Sequence, residues 1–212
     1  ALLSKIDLAE VPLKKEDRER VLNGYLERGK NFYEKEKGED EKKYTNTLSS
    51  LNKARALVEA DKALSGYRSK VEEGFKNVKT DQDNATNWQS AVSARNSGDY
   101  EDVIKIIKKL PEDQDVQLYS YLAEAYYYTG NPEEAEKSAS KQLVVQPENN
   151  RARCILGCIY LDGVENTAAY RYFKAVRDSD PEYPEINDKI AKAGVIFLDK
   201  IIILVVFLLL VW

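Results

Sequence analysis

Histidine does not occur among the 212 residues, which removes the commonest general base and metal ligand. The remaining side chains of obvious reactivity are two thiols. Cys154 and Cys158 stand four apart in "RARCILGCIY". Two cysteines without histidine fall short of the four ligands of a structural zinc site. On a helix this spacing sets Cβ atoms about 5–6 Å apart, beyond the roughly 3.5–4.5 Å of a disulfide. The pair therefore reads as two small reduced side chains on one helix face, which fits a reducing compartment without ruling out an oxidising one. The sequence contains no Gly-rich phosphate loop. An enzyme built from this chain would need a Ser–Lys or carboxylate pair created by folding. No catalytic residue, metal site or cofactor is expected, and the function sought is binding.

Charge narrows the class of partner. The net charge is −4, with both signs interspersed, so no basic stripe exists for nucleic acid. The densest run, "EKEKGEDEKK" at 34–43, mixes both signs around Gly38 and reads as a solvated turn between helices. With 43% hydrophobic residues the chain can bury a real core, and 6 Pro and 10 Gly suit helices joined by short turns.

The elements that position these side chains show in "YLAEAYYYTGNPEEAEKSASKQLVVQP", residues 121–147, which reads as helix, turn and helix. Sliding the sequence by 34 residues lays Leu122 on Leu156, Ala123 on Gly157, Tyr126 on Tyr160, Ala135 on Ala169 and Pro147 on Pro181. The second copy, "ILGCIYLDGVENTAAYRYFKAVRDSDP", carries Leu156-Gly157, Tyr160, Ala169, Phe173 and Pro181 at the internal spacing of the tetratricopeptide signature. The chain thus resembles the tetratricopeptide repeat (TPR) family over residues 116–181. In that signature Leu and Tyr pack one helix on its partner, Ala or Gly lets the backbones approach, and Pro stops the second helix. Helix pairs are predicted near 117–129 with 132–145, and 151–162 with 166–178. A degenerate third copy, with Trp88, Ala91, Gly98, Tyr100, Val103 and Ile107, lies upstream at an offset of 32.

Further upstream, apolar stripes alone mark helices. One runs Val21, Leu22, Tyr25, Leu26, Gly29, Phe32, Tyr33; another Tyr44, Leu48, Leu51, Ala54, Leu57; a third Ala60, Leu64, Tyr67, Val71, Phe75, Val78. The expected organisation is an N-terminal helical region with a diverged repeat over 1–83, TPR-like repeats over 84–190, and a membrane segment over 191–212. The fold class is all-α: a right-handed superhelix of antiparallel helix pairs followed by a C-terminal membrane helix.

That last expectation rests on "IIILVVFLLLVW", apolar without interruption from Ile201 to Trp212. Twelve helical residues span about 18 Å against a hydrocarbon core of about 30 Å. Counting back to Ala193 reaches the length by submerging Asp199 and Lys200, unless the lysine snorkels. One resolution is a chain that continues past Trp212. Lys189, Lys192 and Lys200 flank the segment on the domain side, which by the positive-inside tendency places the repeats in the cytoplasm on a single-pass C-terminal anchor. The N-terminal "ALLSKIDLAEVPL" shows no signal peptide.

The TPR resemblance implies an adaptor or scaffold that holds a protein or peptide in the groove formed by the first helices. Joined to an anchor, it implies an assembly factor or structural subunit of a larger membrane complex. Alternatively, the chain is a tail-anchored organelle adaptor like the mitochondrial and peroxisomal fission adaptors. The groove positions carried over from the family are Trp88, Val92, Arg95, Asn96, Ser120, Glu124, Tyr127 and Tyr128, with Cys154 and Cys158 continuing the row of Ser120 and Glu124. The Lys/Asn clamp of TPR co-chaperones for a C-terminal carboxylate is missing, and Glu124 is expected to repel such a ligand. Tyr126 and Tyr119 are expected in the core.

Overall fold

The computed structural model describes residues 14–37, 44–111, 117–194 and 206–207. They are helical, with no strand among the described residues, and fall into two compact units, Ala1–Thr86 and Asn87–Trp212.

In the first unit, α1 (Lys15–Glu36) and α2 (Thr45–Ala60) pack on each other, and a 3-10 turn (Lys62–Tyr67) leads into α3 (Arg68–Asn96). The three stripes, joined by Val58, supply the core: Leu22, Tyr25, Ala54, Leu57, Val58, Leu64 and Val71 form one cluster, and Tyr44, Leu51 and Val78 another. α2 has no side-chain cap of its own, and its preceding residue Tyr44 sits left-handed at φ 51°. Glu36 supplies the cap from a distance. Its carboxylate accepts the N–H groups of Asn46 (2.9 Å) and Thr47 (3.1 Å) and the Thr47 hydroxyl (2.6 Å). Tyr44 is 1% exposed, and its hydroxyl and that of Tyr33 donate to the same Asp81 oxygen at 2.9 and 2.8 Å. Burial of the ring and this bond hold the strained backbone in place. Glu36 thus departs from the solvated turn expected over 34–43, because it is 5% exposed. Residues 38–43 of that run lie outside the described residues.

The domain boundary expected at 83/84 falls inside α3, which runs unbroken through it. The end of α3 serves as the first helix of the degenerate copy.

In the second unit, α4 (Tyr100–Ile107) follows α3, then come the pairs α5 (Leu118–Tyr128) with α6 (Pro132–Val145) and α7 (Asn150–Asp162) with α8 (Asn166–Ser179). Their bounds lie within a residue of the expected ones. Residues 186–194 are helical again. The repeat is visible in the backbone as one turn made three times. The N–H of Asp99 reaches the carbonyl of Ala94 (2.9 Å), that of Asn131 reaches Tyr126 (2.9 Å), and that of Glu165 reaches Tyr160 (2.7 Å). These are the long bonds of Schellman ends, whose left-handed residue is Gly98 (φ 77°), Gly130 (φ 76°) and then Val164 (φ 62°). Pro132 opens α6 at its first turn, where its missing N–H costs no bond.

Small residues set the helix spacing. Ala123, Ala135 and Ala139 are fully buried together with Ala152, Ile155 and Leu156. One repeat later Gly157 stands in place of Ala123, and Phe173 in place of Ala139, buried with Cys154, Ala169, Val176 and Ile186. The expected core tyrosines Tyr126 and Tyr119 are only half-buried and sit against different clusters. Tyr126 lies under the Lys108 ammonium at 5.5 Å, while the Tyr160 hydroxyl donates to Glu136 at 2.8 Å, so each leans on the second helix of the preceding pair. Among the tyrosines of α5 the buried one is Tyr121, at 8% exposure.

No helix among the described residues is long and apolar enough to cross a membrane. The segment expected over 191–212 lies outside them, apart from residues 191–194, Val206 and Phe207.

Candidate functional site

The first helices of the second unit carry two clusters of side chains. One centres on Glu124, the fourth residue before the end of α5. Arg95, from the last turn of α3, donates to it twice, Nε to Oε2 at 2.7 Å and Nη2 to Oε1 at 2.9 Å. Arg151, in the first turn of α7, approaches the same Oε2 with its Nε at 3.4 Å. The hydrogen bond with Glu124 raises the Arg95 pKa above its ordinary value. Both guanidinium groups lie over the Tyr121 ring, at 4.4 Å for Arg151 and 5.6 Å for Arg95, and Trp88 meets that ring at 4.9 Å. Two arginines around one carboxylate leave one positive charge in excess. Glu124 is therefore neutralised by its neighbours, which corrects the expectation that it repels an anionic ligand.

The second cluster is aromatic. Tyr128, 57% exposed, stacks on Tyr100 with centroids 4.6 Å apart and planes 18° from parallel. Tyr127 meets Tyr128 edge-on at 5.3 Å, and its hydroxyl donates to Asp162 at 2.8 Å. Burial, then the bond to Asp162, push the Tyr127 phenol well above its ordinary pKa.

The residues carried over from the family divide accordingly. Arg95 and Glu124 come together, with Trp88 joined to them through Tyr121. Asn96 is exposed and accepts from Arg95 at 3.3 Å. Val92 is half-buried among Ala91, Val103 and Ile107. Tyr127 and Tyr128 join through their rings to Tyr100, which packs against the same cluster as Trp88 and Val92. Ser120 and Glu124 face the interior, contrary to the expected groove-facing row, with exposures of 1% and 8%. The Ser120 N–H donates to the side chain of Gln142 at 3.0 Å, and its hydroxyl to the Gln117 carbonyl at 2.8 Å. Cys154, in the same row, is buried against Phe173 and Ile186. The row turns inward because the 183–190 segment and α6 pack against it.

Sequence reasoning missed Tyr121, Arg151 and Gln142. Tyr121 precedes the signature Leu122 by one residue and carries no repeat match of its own. Arg151 and Gln142 give no signal, since their partners lie 27 and 22 residues away. Among the described residues no group of three or more metal-ligating side chains comes together.

No protein-family model and no curated protein matches this chain. Among solved structures it is similar to the crystal structure of the P58(IPK) TPR domain, at 19% identity and a TM-score of 0.56 over 84% of this chain. The match spans 56% of that domain's length. The similarity shows a TPR-like helical repeat fold.

Proposed function

We propose that the second unit is a protein-docking module whose contact surface is built from Tyr100, Tyr128 and Tyr127 beside Arg95 and Asn96. The observation that carries this reading is the Tyr128 ring, 57% exposed yet held rigid by stacking on Tyr100. Aromatic and arginine side chains fixed in place lose little entropy on binding and dominate interface energetics. Trp88 and Val92 support the surface from below, and Ser120 and Glu124 act as its buried framework, Glu124 by orienting Arg95.

The apolar run Ile201–Trp212 supports a membrane tether for this module, with the repeats on the cytoplasmic side by the Lys189, Lys192 and Lys200 flank. The combination favours an assembly factor or structural subunit of a membrane complex, with a tail-anchored organelle adaptor as the second reading. The absence of histidine from the sequence supports a non-enzymatic role.

The test is affinity capture of partners from detergent-solubilised source membranes, comparing the full chain with Tyr128→Ala and monitoring thermal stability in parallel. The expected result is a partner whose binding weakens by about 1–3 kcal/mol at unchanged stability. Equal recovery by both chains overturns the docking surface. Alkaline carbonate extraction of the full chain and of one ending at residue 192 tests the tether, which is refuted if both wash off alike.

A further inference from the structure

Three turns of the second unit, each joining a first helix to its second, are linked to one another by side chains. In sequence they are "NSGDYED" (96–102), "YTGNPEE" (128–134) and "DGVENTA" (162–168). Tyr128 stacks on Tyr100 at 4.6 Å, and the Tyr127 hydroxyl donates to Asp162 at 2.8 Å. The turns therefore follow one another along one edge of the unit.

The third turn breaks three local rules between residues 162 and 166. Asp162 closes α7, although the negative end of the helix dipole disfavours a carboxylate there. Val164 holds φ 62° where Gly98 and Gly130 stand in the other two turns, a conformation that opposes a β-branched side chain. Asn166 is 3% exposed, and neither polar atom of its side-chain amide has a hydrogen-bond partner among the described residues. Costs of this kind gather where function requires them. What the turn shows to solvent is the Val164 side chain, as exposed as the Tyr128 ring at 57%.

The charge of the edge selects what can cover it. The three stretches hold seven carboxylates and no lysine or arginine. Lys105 and Lys137, further along the second helices, answer only Asp102 at 2.9 Å and Glu134 at 3.8 Å, and Arg95 is committed to Glu124. Asp99, Glu101, Glu133 and Glu165 remain exposed. Helix N-termini favour the carboxylates that open α4 and α6, but the outcome is an apolar strip set in negative charge.

We propose that this turn edge, from Tyr100 through Tyr128 to Val164, docks a basic segment of a partner protein. Aliphatic or aromatic side chains of that segment cover Tyr128 and Val164, and flanking Lys or Arg side chains meet the surrounding carboxylates. The proposal rests on the tyrosine surface described above and adds its extent, to Val164, and the charge of its ligand. Apolar contact supplies affinity, while the carboxylates supply orientation and association rate. An acidic segment is repelled.

A phage-displayed library of random peptides is selected on the full chain in nonionic detergent. Enriched peptides are then measured by fluorescence anisotropy against wild type, Val164→Gly, Val164→Asn, Tyr128→Ala and a double variant, Glu133→Gln with Glu165→Gln. Calorimetry follows each chain. The expected peptides carry Lys or Arg beside aliphatic or aromatic residues, and their binding weakens as salt is raised. Glycine and asparagine accept left-handed backbone, so both Val164 variants should raise Tm yet weaken binding at least about fivefold. A valine with only a structural role would not give that pairing. The double variant should weaken binding at unchanged Tm. Selection of acidic peptides, or of none above background, overturns the proposal, as does wild-type affinity in both Val164 variants. If Tyr128→Ala alone loses binding, the tyrosine surface stands without its extension to Val164; if neither position matters, both readings fall.

Discussion

Gly157 and Phe173 are a fitted pair: a Cβ added to Gly157 would lie 2.7 Å from Cδ1 and 2.9 Å from Cζ of the Phe173 ring. In the preceding repeat the same two places hold Ala123 and Ala139. Removing the last methyl on α7 makes room for a ring on α8, so the two pairs fill the same kind of space with different partitions of volume.

Gly157→Ala is therefore expected to destabilise the fold. Overpacking costs about 1–3 kcal/mol, partly offset by a helix-propensity gain of about 1 kcal/mol. Contacts below 3 Å put the cost at the upper end, so the net expectation is a loss of about 2 kcal/mol in urea unfolding. Adding Phe173→Leu should recover part of it. Unchanged stability of the single variant would show that the ring has other room.

Val164→Gly should act in the opposite direction. Val164 is a β-branched residue at φ 62°, where the equivalent turns carry Gly98 and Gly130. Left-handed backbone costs a side-chain-bearing residue about 1–2 kcal/mol, and with 57% exposure little burial is lost. A gain of about 1 kcal/mol, raising Tm by roughly 2–4 °C, is expected by calorimetry.

Arg95 and Glu124 are expected to be coupled. The side chain of Glu124 is 11% exposed and that of Arg95 28%. Arg95→Ala should cost about 1–3 kcal/mol, below the full value for a buried pair because Arg151 remains. A double-mutant cycle with Glu124→Gln isolates the pair, and a coupling near zero would assign the loss to packing on Tyr121.

Acid should open the α1–α2 cap. Burial pushes the Glu36 carboxyl up, but the bonds from Thr47 and Asn46 outweigh it and leave the pKa lowered. A carboxylate with a depressed folded pKa contributes stability above its unfolded value, about 4.3, and loses it as pH falls through the folded value. Glu36→Gln should therefore be less stable than wild type by about 1–2 kcal/mol near pH 7, with the gap closing below about pH 4. A gap that persists unchanged into acid would mean that the loss does not come from the ionised carboxylate, and no gap at pH 7 would mean that the amide caps as well.

The helix pairs were legible in the sequence because their signals are local. Within each copy found at the 34-residue offset, the signature Leu, Tyr, Ala and helix-stopping Pro act on neighbours within a turn or two. The apolar stripes of α1 to α3 likewise named most of the core. What the sequence concealed was the rotation of each helix. Ser120, Glu124 and Cys154 share a face, but whether that face meets solvent or a following helix depends on residues 183–190, whose packing no local period reports. The role of Glu36 was hidden for the same reason, as its partners lie 10 and 11 residues on, beyond a run in which charge signals solvation.

Glu36 also changes what selection can act on. Its carboxylate ties the end of α1 to the start of α2 directly, so the pairing of the two helices is encoded by a latch of three hydrogen bonds and not by the six residues, 38–43, that connect them. A cleavage site inserted after Gly38 is therefore expected to yield two chains that remain paired through Glu36 and Thr47.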